Sequence, residues 1–260
     1  QGISLTRFGQ SLFGEIRSLL KQARSVFDLS ETSTVTRGEI TIGIYEALAP
    51  YYLPAILSRL SEKLPDVRVN FFEAELDGLL ARLHGGSADL CITYDVGLDH
   101  DISATTLYEL RPFILAAARH TLTRSPSARL KDLDGQTLVL LQQQASAQYV
   151  LGLLHASRVR PSRIIRAQSF ELQRSLVANG LGLALSHTRP LVATSYDGKK
   201  LVAVPVSDRL EPQRVLLAVS SRHRAAPIAT AVAHEVQKTF AGLPEAAVDD
   251  GILINRKKRA

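Results

Sequence analysis

The spacing of apolar and polar positions changes near residue 38. Before it, apolar residues recur at steps of three and four from residue 8 to residue 27, which places them on one face of an α-helix. After it, short apolar runs rich in β-branched residues alternate with segments of helical spacing. The pattern predicts an amphipathic helix at 7–29 that starts after a Thr6 cap, a polar linker in SETSTVTRG, and then alternating strands and helices.

The apolar face of this first helix is wide enough to need a covering surface. Packing on the globular part of the same chain would cover it, and so would pairing with a second chain. We favour the second arrangement. It predicts an oligomerisation surface, here called the helical stripe, formed by Leu12, Ile16, Leu19, Leu20, Ala23 and Val26.

Two α/β units follow in tandem. The first runs strand, helix, strand, helix and strand through EITIGIY, YLPAILSRLSEKL, VRVNFFE, GLLARLHGG (with Asp77 as its cap) and ADLCITY. A second such run begins with LYELRPFILAAA, which predicts a strand and a crossover. It continues with the strand QTLVLL, the helix ASAQYVLGLLHAS, the strand SRIIRAQ, the helix FELQRSLVANG (with Ser169 as its cap) and the strand LGLALS. The strand-like runs LVAVPV and RVLLAVS come next, and the last strand and helix, RVLLAVS and PIATAVAHEVQKTF, are free to return to the first unit. This alternation predicts an α/β fold of two Rossmann-like lobes joined by two crossovers. The expected boundaries are 38–111 with 213–242 for subdomain I, 112–212 for subdomain II, and 243–260 for a tail without a clear pattern.

Composition narrows the class of protein. With 45% hydrophobic and 22% charged residues the chain is typical of globular proteins, and no apolar run reaches the ~20 residues that cross a bilayer. Cys91 is the sole cysteine and lies in an apolar run, so we expect no disulfide, no thiolate cluster and a cytoplasmic location. The net charge is +6, but four cations are clustered at Arg256, Lys257, Lys258 and Arg259 and leave only +2 elsewhere. Charge alone therefore does not predict nucleic-acid binding.

Motifs for catalysis are missing from the sequence. It has no GxSxG, no GxxxxGK[ST] and no HExxH, and GLGLAL lacks the third glycine of a dinucleotide loop. The histidines are scattered without an i,i+4 pair. We therefore expect neither an enzyme nor a metal site nor a cofactor.

A more coherent set of residues follows the predicted strands. The carboxyl ends of strands in open α/β sheets form ligand clefts. Hydroxyls, amides and aromatic rings dominate at these positions, which suits a small organic ligand, although helix caps use the same residue types. The candidate binding residues are Tyr45, Glu46, Ala47, Thr93, Tyr94, Gln143, Ser146, Ser169, Phe170, His187 and Thr188.

Several segments resemble LysR-type transcriptional regulators. GISLTRFGQSLFGEIRSLLKQAR is similar to the end of their winged helix-turn-helix domain and the linker helix after it, with Phe8 where a small residue is usual. LAP at 48–50, LP at 53–54, LPDV at 64–67 and GxxDL from Gly86 stand in the order of the family's effector-binding domain. SFELQRSLVANGLGLALSHTRP and SYDGKKLVAVPV resemble its second subdomain. The likeness covers about residues 1 to 240.

The resemblance implies a fold like that of periplasmic solute-binding proteins, with an effector in the cleft between two subdomains. It also implies that residues 1–6 end a winged helix-turn-helix domain, most of which lies upstream, and that residues 7–37 are the linker helix and linker. Promoter DNA, bound through that upstream domain, a homodimer or homotetramer, and a small-molecule effector are the implied partners. RNA polymerase is allowed as a further partner, and no membrane is expected.

One position departs from the family. Ala47 stands where these regulators often have a Ser or Thr whose hydroxyl helps to bind carboxylate effectors, so the resemblance favours an anionic ligand less strongly here. The alternative function is a solute-binding protein of a transport system. It predicts a signal peptide or lipid anchor upstream, and the winged-helix ending and the helical stripe count against it.

Overall fold

The structure is a computed structural model that describes residues 37–187, 192–221 and 226–242, with seven isolated residues before them: Thr6, Phe8, Gly9, Leu12, Ile16, Leu19 and Leu20. The described part is a mixed α/β structure, and its fold class is the predicted one. Its strands are β1 (Gly38–Tyr45), β2 (Val67–Ala74), β3 (Leu90–Tyr94), β4 (Ile102–Leu110), β5 (Phe113–Ala117), β6 (Thr137–Leu141), β7 (Arg163–Ala167), β8 (Ala184–Ser186), β9 (Leu201–Pro205) and β10 (Gln213–Ser220). Its helices are α1 (Ala49–Lys63), α2 (Leu76–His84), α3 (Gln144–Ala156), α4 (Phe170–Ala178) and α5 (Pro227–Ala241), with 3₁₀ turns at Thr121–Arg124 and Leu130–Leu133.

The described chain divides into two compact units. Unit 1 consists of residues 37–108 and 214–242, and unit 2 consists of residues 109–213. The described residues of unit 2 lie within one range of the sequence, whereas those of unit 1 lie on both sides of it. The chain leaves unit 1 near the end of β4 and returns to it at the start of β10.

Unit 1 is built on a five-stranded sheet in the order β2-β1-β3-β10-β4. β1 pairs in parallel with β2 and β3, and β10 pairs antiparallel with β3. Every residue of β3 is buried, as expected for a central strand covered on both faces. At Gly43 a Cβ would lie 2.7 Å from both Cys91 Sγ and Phe72 Cζ, so this glycine allows close packing in the middle of the sheet.

Helices α1 and α5 pack together in unit 1. The rings of Tyr52 and Phe240 lie 4.8 Å apart between centroids, and Arg59 Nε donates to Glu235 Oε2 at 2.7 Å. Burial in this contact raises the pKa of Tyr52 to about 12, with a further contribution from Tyr108. The returning helix thus becomes part of the core of unit 1.

Unit 2 repeats this topology with its own strands. β6 and β7 are parallel, and β5 pairs antiparallel with β8 and β9. The two groups of strands are joined just before β8, where Val139 N–H donates to Leu183 O at 2.7 Å and Leu183 N–H donates to Thr137 O at 2.9 Å. The resulting order is β7-β6-β8-β5-β9, which corresponds to β2-β1-β3-β10-β4 in unit 1. In both orders the third strand is followed by a strand that is antiparallel to it.

Both faces of the unit 2 sheet are covered by apolar side chains. Leu138 and Leu140 belong to one buried cluster with Leu154 of α3. Val139, between them, belongs to a second cluster with Val177 of α4. Side chains alternate across a strand, so the two helices cover opposite faces of the sheet.

Local differences from the sequence-based prediction are small. α2 begins at Leu76 after Glu75, so Asp77 lies within its first turn instead of capping it. β4 begins at Ile102, five residues before the strand-like run LYEL that predicted it. Of the helical stripe, Leu12, Ile16, Leu19 and Leu20 are helical and exposed, at 46%, 44%, 63% and 59%, whereas Ala23 and Val26 lie outside the described residues. Gly9 N–H donates to Thr6 Oγ1 at 3.1 Å, as in an N-cap.

Candidate functional site

Unit 1 places five of the predicted site residues at or just beyond the carboxyl ends of β1 and β3. Ile44 and Ile92 are paired in register, so Tyr45 and Thr93 follow them side by side. The rings of Tyr45 and Tyr94 meet edge to face, with centroids 5.1 Å apart. Ala47 is buried beyond β1, and Glu46 is exposed.

Thr93 is the most unusual of these residues. Its side chain is buried, with 1% of the residue exposed. Among the described residues, none makes a hydrogen bond with its Oγ1. A buried hydroxyl without a partner costs about 1–3 kcal/mol, so this atom is one that a ligand could satisfy.

Unit 2 presents His187 directly after β8. The residue is 6% exposed, and within the described part of the chain its Nε2 has no hydrogen-bond partner. The ring of Tyr149, on α3, meets the imidazole edge to face at 5.0 Å between centroids. Burial lowers the pKa of His187 to about 4. The imidazole is therefore neutral at pH 7 and offers one unused nitrogen as a donor or an acceptor.

The other predicted residues of unit 2 differ in their exposure. Gln143 is buried just before α3, and Ser146 is half-buried on its first turn. Ser169 is exposed and caps α4, since its Oγ accepts from Leu172 N–H at 3.2 Å. Phe170 is half-buried after it, and Thr188 lies outside the described residues.

Two features of this region were not predicted. Tyr149 was assigned only to a helix, although it is the ring against His187. Arg174 is 8% exposed and forms an ion pair with Glu171, with Nη1 donating to Oε2 at 2.9 Å. Its Nη2 donates to the carbonyls of Val192 and Thr194 at 2.6 and 2.8 Å. α4 thereby holds the segment that begins five residues after His187.

Cys91 is inert in this structure. It lies in β3 with no exposed surface. Burial is the main reason that its pKa is raised to about 12, so the thiol does not ionise at neutral pH. Its Sγ contacts the carbonyl of Leu79 at 3.8 Å.

Two features are absent from the part of the chain that the structure describes. No group of three or more His, Cys, Asp or Glu residues there is placed to hold a metal ion. None of the helices in that part has the length and apolar character needed to span a bilayer.

The family model described as the LysR substrate binding domain matches residues 33–241. The hydrogen peroxide-inducible genes activator of Haemophilus influenzae is 23% identical over 250 residues, which are 93% of this chain and 82% of that protein. The HTH-type transcriptional regulator EstR of Acinetobacter baylyi is 27% identical over 192 residues, which are 71% of this chain and 62% of that regulator.

Solved structures agree with the family match. HinK, a LysR family transcriptional regulator from Pseudomonas aeruginosa, superposes with a TM-score of 0.77 at 28% identity, covering 91% of this chain and 81% of that one. The family model matches most of the chain, and the α/β topology agrees with the predicted two-lobe fold. The chain therefore belongs to the LysR substrate-binding domain family and has its periplasmic-binding-protein-like fold.

Proposed function

We propose that this chain is the effector-sensing and oligomerisation part of a LysR-type DNA-binding transcriptional regulator. In this proposal a small organic molecule binds at the carboxyl ends of the sheet strands. The observation that supports it concerns two polar atoms, Thr93 Oγ1 and His187 Nε2, in residues that are more than nine-tenths buried. Neither atom has a hydrogen-bond partner among the residues that the structure describes. Thr93 lies near the carboxyl end of β3 in unit 1, and His187 directly follows β8 in unit 2. The carboxyl ends of strands are where α/β proteins bind ligands.

The surroundings of these atoms favour an uncharged ligand with a ring. His187 is neutral at pH 7, and Ala47 offers no hydroxyl to a carboxylate. Arg214, near the end of β3, lies 3.5 Å from the carboxylate of Asp95, which offsets its charge. Tyr45, Tyr94 and Tyr149 provide aromatic edges and faces. We therefore expect a planar or aromatic effector with a hydroxyl, carbonyl or amide group.

Peroxide is a less suitable signal for this chain, although the relative from Haemophilus influenzae is named for it. Oxidation of a cysteine by peroxide starts from the thiolate. Cys91 is the only cysteine, and its burial and its pKa of about 12 keep it as the thiol. An organic effector fits the chemistry of the strand ends better.

Regulation would require the effector to favour one conformation over another. A ligand shifts an equilibrium only by the difference in its affinity for the two states. In the proposed regulator, the effector site biases a homodimer or homotetramer that is held together by the helical stripe. Promoter DNA is then bound by a winged helix-turn-helix domain upstream of residue 1.

A thermal-shift screen of a metabolite library at pH 7 tests the effector site. We expect uncharged ring compounds to raise the melting temperature of the chain by several degrees, because they bind only the folded state. Thr93→Val, Ser146→Ala and His187→Phe should each weaken a hit by about 1 kcal/mol or more in calorimetry, as lost buried hydrogen bonds do. Thr105→Val, at an exposed position of β4, is the matched control and should bind normally.

The proposed site is wrong if hits bind all three variants with unchanged affinity. It is also wrong if the control variant weakens binding as much as Thr93→Val does. In either case the ligand binds away from the strand ends.

A further inference from the structure

A small cavity lies at the end of the unit 2 sheet that is opposite to His187. Phe113 of β5 pairs with Ser186, the neighbour of His187, whereas Ala117 pairs with Leu201 at the other end of the strand. The two ends are about 13 Å apart at 3.3 Å per residue. The cavity has a volume of about 200 Å³ and is lined by Ala118, Arg119, Ala178, Asn179, Lys199 and Lys200.

Three segments form this cavity, and hydrogen bonds connect them. Ala118 N–H, after β5, donates to Lys200 O at 3.1 Å. Arg119 Nη2 donates to the carbonyl of Asn179, at the end of α4, at 3.4 Å. Asn179 Nδ2 donates to Asp197 Oδ2 at 2.6 Å, in the turn before the lysines. These hydrogen bonds fix the positions of the three segments relative to one another.

Gly180 makes room for the guanidinium in this cavity. Its φ is +81°, which a residue with a side chain rarely adopts. A Cβ at this position would lie 3.3 Å from Arg119 Nη2. The glycine therefore allows Arg119 to lie close to the backbone at the end of α4.

The cations of the cavity lack carboxylate partners. Arg119, Lys199 and Lys200 form no ion pair with any described residue, whereas Lys131 and Arg174 in the same unit pair with Asp134 and Glu171 at 2.8 and 2.9 Å.

Among the described residues, a single acidic side chain, that of Asp197, is hydrogen-bonded to the cavity wall, and it already has partners. Asp197 accepts from Ser195 Oγ at 2.5 Å and from Asn179. These two hydrogen bonds, and then the charge of Lys199, lower the pKa of Asp197. The carboxylate remains charged, but three cations line the cavity, so the wall together with Asp197 has a net positive charge.

We propose that this cavity binds a phosphate group, either as inorganic phosphate or as the phosphomonoester of a small metabolite. A guanidinium and two ammonium groups around a concave surface match the charge and the several oxygen acceptors of phosphate. The volume is below the 300–1,000 Å³ that is usual for organic ligands, which favours a compact anion. This site is separate from the proposed effector site and does not depend on it.

An NMR titration of the whole ¹⁵N-labelled chain with inorganic phosphate, at pH 7 and constant ionic strength, tests the proposal. We expect saturable shifts at the Gly180, Lys199 and Lys200 amides and at Arg119 Nε–H. Arg119→Gln and Lys200→Gln should each weaken binding at least about fivefold, because each removes a charge-assisted contact. Arg209→Gln removes an exposed charge elsewhere in unit 2 and should leave the affinity unchanged.

A parallel titration with glycerol 3-phosphate distinguishes the two sources of the phosphate group. Tighter binding than inorganic phosphate identifies an ester as the ligand, and equal or weaker binding identifies the free ion. Shifts that do not saturate, or an affinity that Arg209→Gln lowers as much as Arg119→Gln does, overturn the site. His187→Phe should not change these titrations, so failure of the effector site and failure of this site give different results.

Discussion

A buried imidazole against a tyrosine ring links the folding of unit 2 to pH. The pKa of His187 is lowered to about 4 by burial, whereas an exposed histidine has a pKa near 6.5. Well above pH 6.5 the imidazole of His187 is neutral in both the folded and the unfolded state. It therefore does not make the free energy of unfolding depend on pH in that range. Below pH 6.5 the unfolded state takes up a proton that the folded state excludes until about pH 4, so the free energy of unfolding falls across this interval.

We predict that His187→Gln removes part of the acid sensitivity of the fold. Between pH 7 and pH 4.5 the linkage amounts to about 2.5 kcal/mol for the shift to a pKa of about 4. Urea unfolding at both pH values measures the free energy of unfolding. Between pH 7 and pH 4.5 it should fall about 2.5 kcal/mol further in the natural chain than in the variant. His155→Gln, at an exposed position of α3, should behave like the natural chain. Equal losses in the natural chain and His187→Gln would contradict the prediction.

Positions after strands could be found from the sequence, but their partners could not. Thr93 and His187 were predicted from the end of an apolar run followed by polar residues, although their role in binding stays a prediction. Tyr149 was missed because helical spacing gives the face of a helix and not the ring that it meets. The contact between Arg174 and the carbonyl of Val192 was missed because carbonyl acceptors in a loop leave no mark in the sequence.

At the element scale, burial on both faces decided which strands were predictable. β3 and β6 are continuous apolar runs and were predicted almost to the residue. The first half of β4 was missed, because residues 103–106 are all exposed and an exposed edge strand has no apolar alternation. The start of α2 differed because Glu75 and Asp77 both suit the beginning of a helix.

The helical stripe is predicted to mediate self-association of the chain. Ile16→Glu combined with Leu20→Glu places two charges on exposed apolar positions. We expect these charges to abolish the proposed pairing of chains, because a buried unpaired carboxylate opposes it. Light scattering with size-exclusion chromatography should show the mass fall towards that of one chain, 28.4 kDa. Thr230→Glu with Ala241→Glu adds the same charges at exposed positions of α5 and should leave the mass unchanged. An unchanged mass for the first pair would show that the stripe does not mediate assembly.

At the scale of the whole molecule, the α/β fold and the family were predictable because they rest on the order of many weak signals. The alternation of strands and helices predicted two similar lobes, and the topology of both sheets agrees with this. The cavity beside Arg119 was not predicted, since its three segments are about 20 to 80 residues apart in sequence and only the fold brings them together.

We predict that residues 1–260 bind duplex DNA weakly and without sequence preference, because the resemblance assigns promoter reading to a domain upstream. Binding should come from surface cations and should fall steeply with salt. Fluorescence anisotropy at 50 and 200 mM salt, with a promoter fragment and a scrambled duplex, measures this. Removing residues 256–259, which hold four cations, should weaken both duplexes equally. Tight binding to the promoter alone would contradict the prediction.

The interruption of unit 1 by unit 2 has a consequence for synthesis on the ribosome. β10 occupies the position between β3 and β4, yet it is translated only after all of unit 2. Residues 37–108 therefore leave the exit tunnel without an inner strand and without α5, while residues 109–213 emerge with every strand of their sheet. In most chains the part nearest the amino terminus folds first. Here we expect the reverse order: unit 2 can complete its fold during synthesis, whereas unit 1 can do so only after β10 and α5 have been made.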